Sequence, residues 1–521
     1  MTMFSLFQKK KPRRVSADIV RPLRREDGVL VSSSDPYERL LALIVFGIGV
    51  VAIASDPGQQ LGRFLGLTVL VFGTVFLAGR YFLKFQAQMV GELQRLVSIL
   101  GIALLVLLVA RITRDSEGLT PLWIPMPFVS MIFAVLLSPR FAIEAAVMLL
   151  TLCALVLWGV DDLFPMLLTL FAGSATGALY SFRVRRPSRL IAVGVLVGTT
   201  QALLRAALAL FRDEIPSTLE LAGTLGLAMA LGLASGLLVV GLLPLFERAL
   251  NRLSDVTLLD YSNQNEQPLL RRLQMEAPGT HHHSFLVGTL AEKAAEAIGA
   301  NGLLCRVGSY FHDIGKMNKP EYFSENSPDA KARHAELSPE MSKLIITAHA
   351  KDGAELADLY GVPGPIKAFI EEHHGTTAVE YFYRMAVRMR PDEDVSKDSY
   401  RYPGPRPRTK ETAIAMIADS VEAASRTVKD PNPANLEKVI HDIIEMKIKD
   451  GQLDDCGLTM RDLTRIREAL LHVQIGIYHR RPSYPKDPTG ALTVPLAEAE
   501  FQPELETGRF DGDSRGEPPA R

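Results

Sequence analysis

Between Leu40 and Phe246 the chain runs in long apolar stretches, and beyond Phe246 it changes to short amphipathic periods. Eight apolar stretches fall at about 40–54, 64–83, 96–112, 120–138, 141–158, 163–182, 189–211 and 219–246. Most approach the roughly 20 residues that a helix needs to cross a bilayer. They predict a polytopic α-helical membrane domain of about eight spans. From Glu247 to Arg272 leucines alternate with charged residues, as in a helical connector. After Ala277 helical periodicity dominates. Pro278-Gly279-Thr280 opens one helix, and a second ends near Ile314. Ser338-Pro339 and Pro365 open two more, with proline at the first helical position. Thr412–Ala424 makes a fifth. No run alternates well enough to require a strand, so the soluble half is also expected to be all-α.

Lysine and arginine add an orientation. If the N-terminus is cytoplasmic, one side carries Lys9, Lys10, Lys11, Arg13 and Arg14, then Arg80, Lys84, Arg95, Arg140, Arg183, Arg185 and Arg186. The other side carries only Arg63, Arg111, Arg114 and Arg212, beside acids such as Asp56, Asp115 and Asp162. An even number of crossings then returns the second half to the cytoplasm, as in a multi-pass protein of a bacterial-type plasma membrane. Glu144 and Arg205 are the main charges inside spans, and Glu144 lies near enough to an end to snorkel. The expected organisation is a basic segment (1–39), a membrane domain (40–246), a connector (247–276), a soluble domain (277–490) and a disordered acidic tail (491–521).

Composition fits this division: 48% of the 521 residues are hydrophobic. The net charge of −1 gives no sign of a nucleic acid polymer as partner. Three separated cysteines, without a C-x-x-C pair, offer neither a disulfide framework nor a zinc ribbon. Histidine is more telling, because all 11 lie after Gly279. Seven residues stand on five helix-like segments with apolar flanks: His283, His312, Asp313, His349, His373, His374 and Asp419. Burying so many nitrogen and carboxylate donors without partners is costly, and a pair of metal ions resolves that cost. Imidazole with carboxylate and no thiolate suits iron, manganese or zinc. Two divalent ions about 4 Å apart would share a hydroxide and neutralise a phosphoryl oxygen, with Asp313 able to bridge them. The expected reaction is metal-assisted phosphodiester hydrolysis. His441-Asp442 is expected to be an ordinary surface pair.

The segments EAPGTHHHS, HDIGKM, HHGTT, RYPGPRPRTKE and IADSVEAASRT resemble the HD-domain phosphohydrolase superfamily, in particular its seven-transmembrane receptor HD family. The likeness extends from about residue 36 to 485. PgpH-type members of that family hydrolyse cyclic di-AMP to pApA. The resemblance implies that His283, His312, Asp313 and Asp419 hold one metal, and Asp313, His349, His373 and His374 the other. Iron or manganese would be the pair. It also implies that His281 and His282 are not ligands. The family usually carries a large extracytoplasmic domain after its first span, where here only about Ser55 to Arg63 stands. Lys316 is a candidate catalytic residue and phosphate contact. Arg401, Tyr402 and Arg406, in a basic stretch with interleaved aromatics, are candidate contacts to a nucleotide with stackable bases. Other readings are an HD hydrolase acting on cyclic di-GMP or another nucleotide, and a membrane receptor that binds nucleotide without hydrolysis. The Gly375-Thr376-Thr377 that follows the paired histidines favours cyclic di-AMP on resemblance. A homodimer is left open.

Overall fold

A computed structural model of the chain describes residues 35–212 and 217–478. The basic segment up to residue 34 and the acidic tail 491–521 lie outside them. Every regular element among the described residues is helical, and the sole β-type pairing is an isolated bridge between Ala378 and Arg401.

The first half consists of α1 (Pro36–Ala54), α2 (Leu61–Phe85), the single turn α3 (Ala87–Val90), α4 (Leu93–Asp115), α5 (Met126–Leu136), α6 (Pro139–Val156), α7 (Leu163–Tyr180), α8 (Pro187–Phe211) and α9 (Thr218–Leu250). Seven of these are long and apolar enough to cross a membrane. The expected fourth span, 120–138, is the exception. It forms a 3-10 turn, Pro121–Trp123, and then the 11-residue α5. At 1.5 Å per residue α5 reaches only ~17 Å, against a hydrocarbon core of ~30 Å. Pro121, Pro125 and Pro127 account for the shortening, since each lacks an N–H and stiffens the backbone.

Contacts at the helix ends show that this segment nevertheless links the two faces. At one face Arg111 and Arg114 of α4 reach Asp56 after α1, and Arg114 also donates to Val156 O at the end of α6 (3.1 Å). At the other face Tyr81 and Gln86 at the end of α2 donate to Glu144 near the start of α6, each at 2.7 Å. The chain therefore passes from one face to the other between α4 and α6, through α5. Ten of the eleven α5 residues are buried among the other helices, so the irregular backbone beside it is shielded by protein. Arg95 and Ser98 near the start of α4 donate to Leu250 O and Ala249 O at the end of α9 (2.9 and 2.8 Å). The start of α1 and the exit of α9 thus share one face. Helices α8 and α9 are in backbone contact. A Cβ on Gly232 would stand 2.4 Å from Gly198 Cα, the close approach that small residues permit between membrane helices.

Helix α9 runs without a break past the expected boundary at 246 to Leu250, despite Pro244. The second half follows: α10 (Asp255–Ser262), α11 (Pro268–Glu276), α12 (Pro278–Ala297), α13 (Gly302–Phe311), α14 (Ala330–Ala335), α15 (Pro339–Leu359), α16 (Gly364–Glu372), α17 (Glu380–Met389), α18 (Lys410–Ser425), α19 (Pro433–Lys449) and α20 (Met460–Tyr478). The connector is not a free-standing helix. Glu247, buried, accepts hydrogen bonds from Ser254 N, Ser254 Oγ and Thr257 Oγ1 (2.9, 2.6 and 2.8 Å) and so sets the start of α10. Leu258, Leu269, Leu270 and Leu273 then join Val307, Phe311, Ile314 and Ile366 in one apolar cluster. A second cluster joins α12, α18, α19 and α20 through Leu290, Ile417, Ile440 and Ile466. The candidate site lies where helices of the two clusters meet.

Candidate metal centre

Local sequence places each candidate donor. His283 lies in α12, which starts with Pro278. His312 closes α13, whose other end is capped by the Asn301 side chain on Leu304 N. Asp313 leads into a 3-10 turn, Ile314–Asn318. Gly315 in that turn lies so close to α15 that a Cβ would stand 1.9 Å from His349 O, so the turn needs a residue without a side chain. His349 is on α15, capped by Ser338 on Met341 N. His373 and His374 follow α16, and Asp419 lies in α18, where Thr409 and Thr412 cap each other.

These elements bring all seven residues together in two groups: His283, His312 and Asp419, and Asp313, His349, His373 and His374. Within each group the donor atoms lie within 4.8 Å of one another. Six are more than nine-tenths buried, and His374 is partly exposed. Asp313 faces both groups. Its Oδ1 is 3.3 Å from His349 Nε2 and 3.6 Å from His373 Nε2. Its Oδ2 is 3.2 Å from His312 Nε2 and 3.6 Å from His283 Nε2. Asp419 Oδ1 is 3.0 Å from His283 Nε2.

The outward ring nitrogens set the tautomers. Backbone carbonyls can only accept, so Nδ1 must donate to Ser309 O from His312 (2.6 Å), to Ile346 O from His349 (2.6 Å) and to Phe369 O from His373 (2.9 Å). His283 Nδ1 donates to Glu422 Oε2 (2.5 Å). When neutral, each ring turns an Nε2 lone pair inward, the arrangement that orients imidazole toward a metal. Around His312, His349, His373 and Asp313 Oδ1 the inner face is short of donors. His349 Nε2 and His373 Nε2 stand 3.2 Å apart, and His312 Nε2 and Asp313 Oδ1 are buried without a hydrogen bond. Facing lone pairs repel unless a cation lies between them, so the donor set fits divalent metal ions.

The carboxylates of the centre attract positive charge, so a metal ion and a proton compete for His312. Burial would raise the Asp313 carboxyl, but the His312 and Lys316 cations hold it well below the usual carboxylate range. Burial works against a charged His312, yet Asp313 and Asp419 push it up to about 10. His349 is depressed to about 4, chiefly by burial.

Of the other candidates, Lys316 sits beside the centre with Nζ 2.7 Å from both Asp313 Oδ2 and Glu325 Oε1. Tyr402 is nearly buried, and its ring lies against that of His374 at 4.2 Å between centroids. Arg401 is held by Asp450 (2.9 Å) and by Thr376 O (2.8 Å), which ties it to the scaffold. Arg406 is the more open cation, 3.4 Å from Thr376 Oγ1 and 3.7 Å from Asp454. His281 pairs with Gln264, His282 is exposed, and His441 and Asp442 are both exposed on α19.

Four residues went unmarked in the sequence. Glu422 orients His283 from a position one turn beyond Asp419, an i,i+3 spacing that could have revealed it. Glu325 stands in an irregular segment without such a signal. Glu372 is buried and accepts from Arg408 N and Nε and from Thr412 Oγ1 (2.9, 2.7 and 2.8 Å), locking α16 to α18. Lys447 is almost fully buried, with Nζ 3.4 Å from Thr377 Oγ1.

Comparison with known proteins agrees with both halves. Residues 61–254 match the family described as 7TM receptor with intracellular HD hydrolase, and residues 280–424 match the HD domain. The first match begins at α2 and takes in seven helices only if the short α5 is counted. The cyclic-di-AMP phosphodiesterase PgpH of Bacillus subtilis is 34% identical over 483 residues, covering 91% of this chain and 67% of that protein. Its namesake from Listeria monocytogenes is 37% identical over 366 residues, 70% of this chain and 50% of that protein. A solved structure of the L. monocytogenes PgpH HD domain in complex with cyclic-di-AMP is 46% identical and covers 42% of this chain and all of that one, with a TM-score of 0.39. The chain belongs to the family of 7TM receptors with an intracellular HD hydrolase.

Proposed function

We propose that the chain is a membrane-anchored, metal-dependent phosphodiesterase that hydrolyses cyclic di-AMP to pApA. The observation that carries this reading is Asp313, whose two oxygens face two separate groups of inward-turned donors. His283, His312, Asp313 and Asp419 would hold one ion, and Asp313, His349, His373 and His374 the other, with iron or manganese the pair that suits them. When bound, the ions supply Lewis acidity, making a water more acidic and offsetting phosphoryl charge.

The chain's own residues position that chemistry. Glu422 fixes the His283 ring, and three backbone carbonyls fix His312, His349 and His373. Lys316 offsets the charge of Asp313 and Glu325, and can meet a phosphate by releasing either carboxylate. Tyr402 braces His374 and offers an aromatic face beside it. Arg406 supplies the more accessible positive charge on the same loop. In the reaction water adds to one phosphorus, its P–O3′ bond opens, and the freed 3′ oxygen takes a proton. The linear product keeps a 5′ phosphate.

The start of α1 and the second half share one face of the membrane helices, and the lysine and arginine excess marks that face as cytoplasmic. This supports a multi-pass plasma-membrane protein with the hydrolase inside. The test is to offer the full chain in detergent, loaded with manganese or iron, cyclic di-AMP, cyclic di-GMP and a nucleoside triphosphate in parallel. pApA from the first alone is expected. Comparable cleavage of cyclic di-GMP would overturn the substrate assignment.

A further inference from the structure

The membrane half contains a groove whose walls and rim call for a particular occupant. It has a volume of about 330 Å³ and runs between the first turns of α1 and the last turns of α2, walled by Leu40, Leu43, Phe72 and Phe76, with Arg39 and Arg80 also lining it. Behind it lies an apolar cavity of about 110 Å³ that shares Leu43, Val75, Gly79 and Leu83 and ends on Phe133 and Phe141. The first alone is within the size range of small-ligand pockets. Only 11% of the most apolar stretch of α2 is buried, against 22–44% for the other long membrane helices. The groove therefore opens sideways into lipid.

Position decides what fills it. Arg39 begins α1 and Arg80 is near the end of α2, so both guanidinium groups stand toward the face from which α9 emerges. Arg39 donates to Gly91 O (2.7 Å), whereas Arg80 is exposed and has no hydrogen bond or ion pair among the described residues. A void lined by carbon in a bilayer loses dispersion contacts unless an acyl chain enters it. A guanidinium at the level of the headgroups favours a phosphate, with which it pairs in a forked geometry.

We propose that the α1–α2 groove is a binding site for an anionic phospholipid of the leaflet on the hydrolase side, its acyl chain between Leu43 and Phe76 and its phosphate on Arg80. The site is independent of the metal centre and of the substrate assigned to it.

The full chain carrying Leu40→Trp, reconstituted in phosphatidylcholine vesicles, tests this. Leu40 is exposed in the groove, and the two native tryptophans, Trp123 and Trp158, follow the ends of α4 and α6 at the opposite face. Phosphatidylglycerol with brominated chains should quench the new indole at least three-fold more effectively than brominated phosphatidylcholine at equal mole fraction. Arg80→Gln should bring that ratio to one. Equal quenching by the two lipids before the Arg80 change, or a preference that survives it, would overturn the site. Native mass spectrometry of the unsubstituted chain is a second measure should the tryptophan variant fold poorly. Phosphatidylglycerol retained through delipidation supports the site, and its loss in step with phosphatidylcholine opposes it.

Discussion

The two halves of the molecule are both all-helical, yet they solve burial in opposite ways. In the membrane half, contact comes from removing side chains: Gly194, Gly198, Gly232 and Gly236 let α8 and α9 touch by backbone. Polar groups such as Asp56, Glu144 and Arg95 sit at the helix ends, where they tie neighbours together. In the hydrolase half, polar side chains are driven into the centre, their outer atoms are satisfied, and two inner atoms, His312 Nε2 and Asp313 Oδ1, are left bare. A helix can therefore be built for contact or for chemistry, and the sequence marks the choice by glycine in one half and histidine in the other.

The sharpest way to break the second arrangement is Asp313→Ala. It removes the carboxylate that faces both groups, and we expect at least ~10³-fold loss of hydrolysis, equivalent to ~4 kcal/mol of barrier. Metal content, read by plasma emission spectrometry, should fall below one ion per chain, and full activity at that content would refute the shared role. The corresponding break in the membrane half is Gly232→Leu. Its side chain would collide with the Gly194–Gly198 backbone, a misfit of about 3 kcal/mol or more. Thermal unfolding in detergent should move to lower temperature, while folded protein keeps its metal.

Smaller changes sharpen the contrast. Glu422→Gln keeps the shape but weakens the partner of His283 Nδ1, so metal affinity should fall ~10–100-fold, measured by competition with a chelator. Arg406→Gln should raise KM about five-fold with little change in kcat, the effect of losing one partly exposed phosphate contact.

The smallest effect concerns pH. The Tyr400 hydroxyl, then backbone N–H and Arg390, draw the Glu340 carboxyl down to about 2 from an ordinary value of 4.5. A depressed carboxyl contributes stability above its unfolded value and loses it as pH falls toward the folded one. The Tm gap between the native chain and Glu340→Gln should therefore be present near about pH 6 and shrink on acidification below about 4.5.

Much of this was legible in the sequence because one residue type carries each signal. Apolar runs gave the membrane helices, and histidines confined to one half located the centre. What escaped depended on distance in space. The shortness of α5 follows from prolines that an apolar average does not register. Asp450, almost fifty residues away, holds the Arg401 guanidinium, a pairing that basic character alone does not reveal. Glu325 and Lys447 carry no local pattern, since their partners Lys316 and Thr377 meet them only in the folded chain.

The connection through Glu247 carries a further consequence. It sets α10 directly from the end of α9, and Tyr261 of α10 packs against Phe311, the residue before His312, at 6.1 Å between ring centroids. Where two states of the membrane helices differ at this joint and hold metal with different affinity, the coupling is reciprocal. Metal loading would then shift the balance of those states by the same free energy, with Glu247, Tyr261 and Phe311 as the route between them.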